Sequence, residues 1–279
     1  MAIFRITGRL RASILDVLLL FLISPIHVAS AADVRIGGTG SAYGAMKRMA
    51  EAFSNVNPGL RVEVLKPLGS PGGIRALAGG GAEIAVTNRK PNDAELKDVP
   101  MQWAQYGCSP FVIAVHRNLG VTAVTSAQLA AMYSESPRLP DGRRARPVLR
   151  LTDATENKLI SAIDPAVATA LQAANQRAGM INASNDVEAA DLIERTANGF
   201  GPSSLAVIES ERRPLVALAI DGKVPTASAL DNKSYPWRKD MYIIMRDNAS
   251  PAARRFMAFV MSSEGRAVLH ATGHSTRCP

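Results

Sequence analysis

Twice in succession near the start of this chain, a short β-type run, a glycine-rich loop and a helix-type segment follow one another. A third β-type run then closes the series. Val34-Arg35-Ile36 passes through Gly37-Gly38-Thr39-Gly40-Ser41 into an amphipathic segment at 42–55. There Met46, Met49, Ala50 and Phe53 recur at three- and four-residue intervals, while Lys47, Arg48 and Glu51 occupy the other face. Asn57-Pro58-Gly59 is a stop-and-turn signal. A strand at 61–65 then leads through the loop 67–73 to a short helix at 74–78 and the strand Ile84-Ala85-Val86. Parallel strands need a long crossover, usually a helix, so this alternation predicts a parallel sheet with helices on its faces. The fold class is α/β.

The rest of the chain continues in the same manner. An apolar strand is predicted at 111–115, a helix at 127–133 capped by Ser126, and a surface loop rich in Pro, Arg and Gly at 136–147. A strand at 148–150 follows, then helices at 166–177 and 186–198, the second ended by residues 199–202. Strands are predicted at 205–208, 215–220 and 241–245, with a turn at Asp221-Gly222, and the pair of helices 252–261 and 264–271 closes the chain.

The N-terminus addresses the protein to an export route. Arg5, Arg9 and Arg11 precede an apolar run from Ile14 to Ile23, and Pro25 and Ala29-Ser30-Ala31 follow. That is the order of a secretory signal with a small-residue cleavage site, so residues 1–31 are expected to be removed and the product to be periplasmic. Two cysteines remain, Cys108 and Cys278. An oxidising compartment permits a bridge between them, and two separate thiols are the alternative. The only histidines after the leader are His116, His270 and His274, without the spacings zinc sites use, so no metal and no cofactor are expected. The formal net charge of +8 suits an anionic partner. Aromatic residues make up only 5% of the chain and do not interleave with the basic stretch Arg138 to Arg150, which argues against nucleic acid.

Candidate ligand groups gather at the ends of the early strands. Thr39, Gly40 and Ser41 lie between a strand and a helix, where glycines admit close approach and a helix start presents free N–H groups. Ser70, Gly72 and Gly73 repeat the arrangement after the second strand. In an open α/β sheet such loops share one rim, which suggests a common cavity. Thr87, Asn88 and Arg89 end the third strand. Arg150 ends a later one and is followed by Thr152, Asp153 and Thr155; a guanidinium can hold an oxyanion through two parallel hydrogen bonds, and Asp153 could orient it. No catalytic residue is expected: there is no G-x-S-x-G elbow, no P-loop and no dinucleotide fingerprint.

The runs IGGTGSAYGAMKRMAEAF and LGSPGGIRALAGGGAEIAVTNR resemble the N-terminal lobe of the phosphate-type periplasmic binding proteins of ABC transporters. FVIAVHRN, GFGPSSLAVI and RRFMAFVMSSEGRAVL are similar to later parts of that family. The resemblance implies a type II periplasmic-binding fold, two α/β lobes around a ligand cleft. Lobe one would hold 32–115 and 221–279, and lobe two 116–220. It further implies that Thr39, Gly40, Ser41, Ser70, Gly72, Thr87 to Arg89 and Arg150 face the ligand. The expected function is capture of a small oxyanion, phosphate first, by a monomeric receptor that delivers it to a membrane permease. A sensory or scaffold protein of the same fold is the alternative. Phosphate-specific members carry a carboxylate where this chain has Asn88, and a Ser-Gly-Thr run where it has Leu151 to Thr155.

Overall fold

The computed structural model describes residues 33–152 and 154–278. The leader expected at 1–31 and Asp153 lie outside the described residues. β1 (Val34–Gly38), α1 (Tyr43–Val56), β2 (Val62–Val64), α2 (Gly69–Ala78), β3 (Ile84–Thr87) and α3 (Asp93–Asp98) follow the alternation read from the sequence. β4 (Met101–His116) carries the chain into a second half, which begins with β5 (Ala123–Val124), α4 (Ser126–Tyr133), β6 (Arg146–Arg150), α5 (Thr155–Ser161) and α6 (Pro165–Gln176). It continues through β7 (Ile181–Ala183), α7 (Asp186–Arg195), β8 (Gly199–Ser204), α8 (Leu205–Ser210), β9 (Leu215–Ala217), β10 (Ala219–Ile220) and α9 (Ala227–Asp231). β11 (Arg238–Arg246) returns to the first half, where α10 (Pro251–Val260) and α11 (Ser263–His270) complete it.

Among the described residues, a nine-stranded sheet runs in the order β2-β1-β3-β11-β4-β8-β6-β7, with β9 also pairing with β4. β1 pairs in parallel with β2 and β3, and β6 in parallel with β7 and β8. The seam is β4. Its residues 101–110 pair antiparallel with β11, and its residues 111–115 pair antiparallel with β8. One strand therefore belongs to both halves, which is why its run from Tyr106 to Val115 is buried without alternation.

Each half has its own core. In the first, Ile36, Met46, Met49, Phe53, Ile84, Ile243 and Phe256 pack together, and the Phe53 ring meets Phe256 and Phe259 edge-on at 5.2 and 5.5 Å. In the second, Phe111, Ile113, Tyr133, Leu149 and Phe200 are joined by Ala229, Leu230, Tyr235 and Trp237. Fully burying one such side chain stabilises the fold by roughly 1.5–3 kcal/mol. Residues 229–237 thus pack in the second half, although the sequence reading gave 221–279 to the first.

Local readings are corrected at several points, the first being residues 69–73, which were read as loop and form the first turn of α2. Residues 199–204, read as a helix-ending turn, form the buried strand β8. Gly201 makes this possible, since a Cβ there would stand 2.6 Å from the Val148 carbonyl oxygen. Residues 205–208, read as a strand, begin α8, whose first turn is capped by the Ser204 side chain. Thr125, not Ser126, caps α4 in a reciprocal pairing with Gln128.

Cys108 and Cys278 are joined in a disulfide with their Cα atoms 5.8 Å apart, so of the two arrangements left open by the sequence the bridged one is present. It fastens the C-terminal tail to the middle of β4, where Cys108 also exchanges backbone hydrogen bonds of 2.9 and 2.8 Å with Ser275. Among the described residues, no helix is long and apolar enough to cross a membrane.

Candidate functional site

The loops at the strand ends meet around a cavity of about 500 Å³ between the two halves. The first half contributes Thr39, Gly40, Leu68 to Gly72, Arg75, Asn88 and Arg89; the second contributes Arg150, Leu151, Ala154 to Glu156 and Ser184 to Asp186. The halves touch at Gly40, where an added Cβ would lie 3.1 Å from the Asp186 nitrogen. Gly38 is held at φ +149°, and a Cβ there would overlap the Val86 carbonyl, so only glycine lets β1 turn into the site.

Asn88 ties the first-half loops together. Its Oδ1 accepts from the Thr39 hydroxyl at 2.7 Å and the Ser41 hydroxyl at 2.9 Å. Its Nδ2 donates to the Asp240 carbonyl at 3.0 Å, and its backbone N–H donates to Ser70 Oγ at 3.0 Å. Arg89 donates to both carboxylate oxygens of Glu95, at 2.8 and 2.7 Å. That paired hydrogen bond raises the Arg89 pKa and lowers that of Glu95. Arg75 is exposed on the cavity wall and forms none of the ion pairs among the described residues.

On the opposite wall Arg150, Glu156 and Asp186 form a buried charged cluster that Lys239 of β11 completes from behind. Arg150 is 6% exposed, Glu156 5%, Asp186 2% and Lys239 2%. The Lys239 ammonium contacts both carboxylates. Arg150 Nη1 lies 3.3 Å from Glu156 and 3.5 Å from Asp186, and its Nη2 donates to the Ser184 carbonyl at 3.4 Å. Burial disfavours the ionised form of Asp186, but Lys239 and then Arg150 outweigh it and hold its pKa below the usual value. Burial likewise disfavours the Lys239 ammonium, and Asp186 and Glu156 overcome it, so its pKa is raised. The formal charges of the cluster cancel. Arg150 Nη1 is engaged in those two ion pairs, while its Nε is buried without a hydrogen-bond partner among the described residues.

The helix starts show where donors remain free. α3, α4, α6, α7, α8, α9, α10 and α11 each have a first turn capped by a side chain. α2 and α5 do not, nor do the short turn at 40–42 and α1, which follows directly on it; the starts of α2, of α5 and of that turn open on the cavity. Uncapped first turns present unpaired N–H groups at the positive end of the helix dipole. This distribution concentrates unpaired backbone donors at one place.

Of the residues singled out in the sequence, Thr39, Gly40, Ser70, Gly72, Asn88, Arg89, Arg150 and Thr155 line the cavity. Ser41 stands behind Thr39, 3.0 Å from its hydroxyl. Three lie apart. Gly73 is a packing position, where a Cβ would come within 2.6 Å of Gly38 Cα. The Thr87 hydroxyl donates to the Arg89 carbonyl at 2.6 Å, and Thr152 lines a separate surface depression with Asn157 and Ser161. Sequence reasoning missed Arg75, Glu156, Asp186 and Lys239. The only local signals were the acidic first turns of α5 and α7.

The sequence pattern of the PBP superfamily domain matches residues 25–264. The chain belongs to the PBP superfamily. Solved structures of similar fold include a Clostridium perfringens protein assigned as a phosphate ABC transporter substrate-binding protein, with bound phosphate. It is 19% identical at a TM-score of 0.70, covering 87% of this chain and 98% of that one. An ABC-type phosphate transport receptor from Vibrio cholerae is 18% identical at a TM-score of 0.59, covering 87% and 99%. Peb3 from Campylobacter jejuni is 15% identical at 0.55, again covering 87% and 99%. No curated protein sequence matches the chain. Membership of this superfamily agrees with the mixed α/β sheet flanked by helices and with the cleft between its halves.

Proposed function

We propose that this protein is an exported solute-binding receptor that captures a small oxyanion and delivers it to the permease of an ABC-type importer without altering it. The observation that carries this reading is the distribution of helix caps: three of the four uncapped starts open on one cavity. Arg75 adds positive charge from one wall, and from the other Arg150 presents a buried Nε donor without a hydrogen-bond partner among the described residues. The similar proteins support the choice of anion, since the Clostridium perfringens structure holds phosphate and the similar PEB3 holds L-phospholactate. Closure of the halves on the anion shifts an open–closed equilibrium, and the closed form is what the permease recognises.

Inorganic phosphate is the first ligand to test, with sulfate, molybdate and small carboxylates beside it. The expected result is saturable binding of at least one oxyanion by calorimetry, with a matching rise in melting temperature. Folded protein that binds none of them would end the oxyanion reading.

A further inference from the structure

Three features of the cavity are more than an inorganic oxyanion needs. Its volume, about 500 Å³, falls in the range of roughly 300–1,000 Å³ typical of cavities that enclose organic molecules. Leu68 and Leu151 line it from opposite halves while still 44% and 49% exposed, which places apolar surface on both sides of a polar site. Such surface is stabilised only when carbon covers it. Third, Glu156 and Asp186 are among the residues that line the cavity. They repel a fully deprotonated anion and accept hydrogen bonds from a ligand that carries donors. Beside them, Arg150 is 94% buried, with its Nε lacking a hydrogen-bond partner among the described residues.

We infer that the ligand is a small organic phosphomonoester bearing a free hydroxyl. Its phosphoryl group sits at the start of α2 between Arg75 and Arg150, its carbon segment lies against Leu68 and Leu151, and its hydroxyl donates to Glu156 or Asp186. The inference rests on the oxyanion reading and specifies its ligand. Inorganic phosphate fills only the anionic end. The two carboxylates, each already in contact with Lys239, then gain no hydroxyl from the ligand and repel its charge.

Calorimetry on the folded protein with glycerol 3-phosphate, n-propyl phosphate and inorganic phosphate tests this. Glycerol 3-phosphate is expected to bind at least about tenfold more tightly than inorganic phosphate, and more tightly than propyl phosphate, which lacks the hydroxyls. The Leu68→Ala/Leu151→Ala variant, altered only at exposed positions, is expected to lose most of the preference for the ester. Inorganic phosphate binding as tightly as glycerol 3-phosphate overturns the inference and leaves the oxyanion reading standing. Equal affinity for the two esters overturns the role of the carboxylates. Failure of all three to bind also overturns the inference, and the oxyanion reading then stands or falls on sulfate, molybdate and the small carboxylates.

Discussion

Replacing Lys239 by methionine removes one member of the buried charge cluster and keeps its apolar stem. The ammonium contacts both Glu156 and Asp186, and every member of the cluster is at most 6% exposed. Without it, two carboxylates share the single guanidinium of Arg150. Breaking a buried ionic group by removing one partner costs about 3–5 kcal/mol, because the remaining charge stays buried and unpaired. The cost depends on pH in a definite direction. In the native protein the Asp186 pKa is lowered, so its contribution is complete above the ordinary carboxylate pKa and is lost as pH falls through the lowered value. In the variant, burial dominates and the folded-state pKa rises. The penalty is then largest near neutral pH and shrinks on acidification, by about 1.4 kcal/mol for each unit of that rise. Urea unfolding of both proteins at about pH 7.5 and about pH 5 measures the difference at each. A cost below about 1 kcal/mol, or one equal at the two values, would refute the account of the cluster.

Other outcomes follow from the same contacts. Cys278→Ser opens a loop of 170 residues and is expected to cost about 5 kcal/mol by the chain-entropy estimate, measured by denaturant unfolding; a loss under about 1 kcal/mol would contradict it. Gly73→Ala places a methyl against Gly38 and is expected to lower stability by about 1–3 kcal/mol, read from the shift in melting temperature. His274 is fully buried, and that burial lowers its pKa to about 4. The unfolded chain therefore binds the extra proton first, and stability falls by about 3 kcal/mol as pH drops from about 6.5 to about 4. An NMR titration giving an imidazole value near 6.5 would exclude this.

The alternation of strand, glycine loop and helix was legible because each signal is local: the period of Met46, Met49 and Phe53, the stop at Asn57-Pro58-Gly59, and the glycines that let β1 and α2 turn toward one rim. β8 was not. Gly199, Gly201 and Pro202 read as a turn in isolation, and become a strand because β4 and β6 press on both sides and leave no room for a Cβ at 201. The first-half anion loops were likewise readable from their glycines and hydroxyls. The charge cluster could not be read, since Lys239 meets carboxylates 83 and 53 residues away and no single segment contains the pattern. Arg150 was identified as a ligand group, yet the neutralisation of its charge by Glu156 and Asp186 appears only once the helix starts are brought together.

The uncapped starts of α2 and α5 and the Arg150 guanidinium are expected to hold one oxyanion between the two halves. Crystals of the protein soaked in tungstate, whose tetrahedral oxyanion scatters anomalously, test this directly. The account predicts a single strong anomalous peak within hydrogen-bonding reach of the Ser70 and Thr155 backbone and of Arg150, weakened in Arg150→Ala. Tungstate bound only elsewhere on the protein, with that cavity empty, would contradict it.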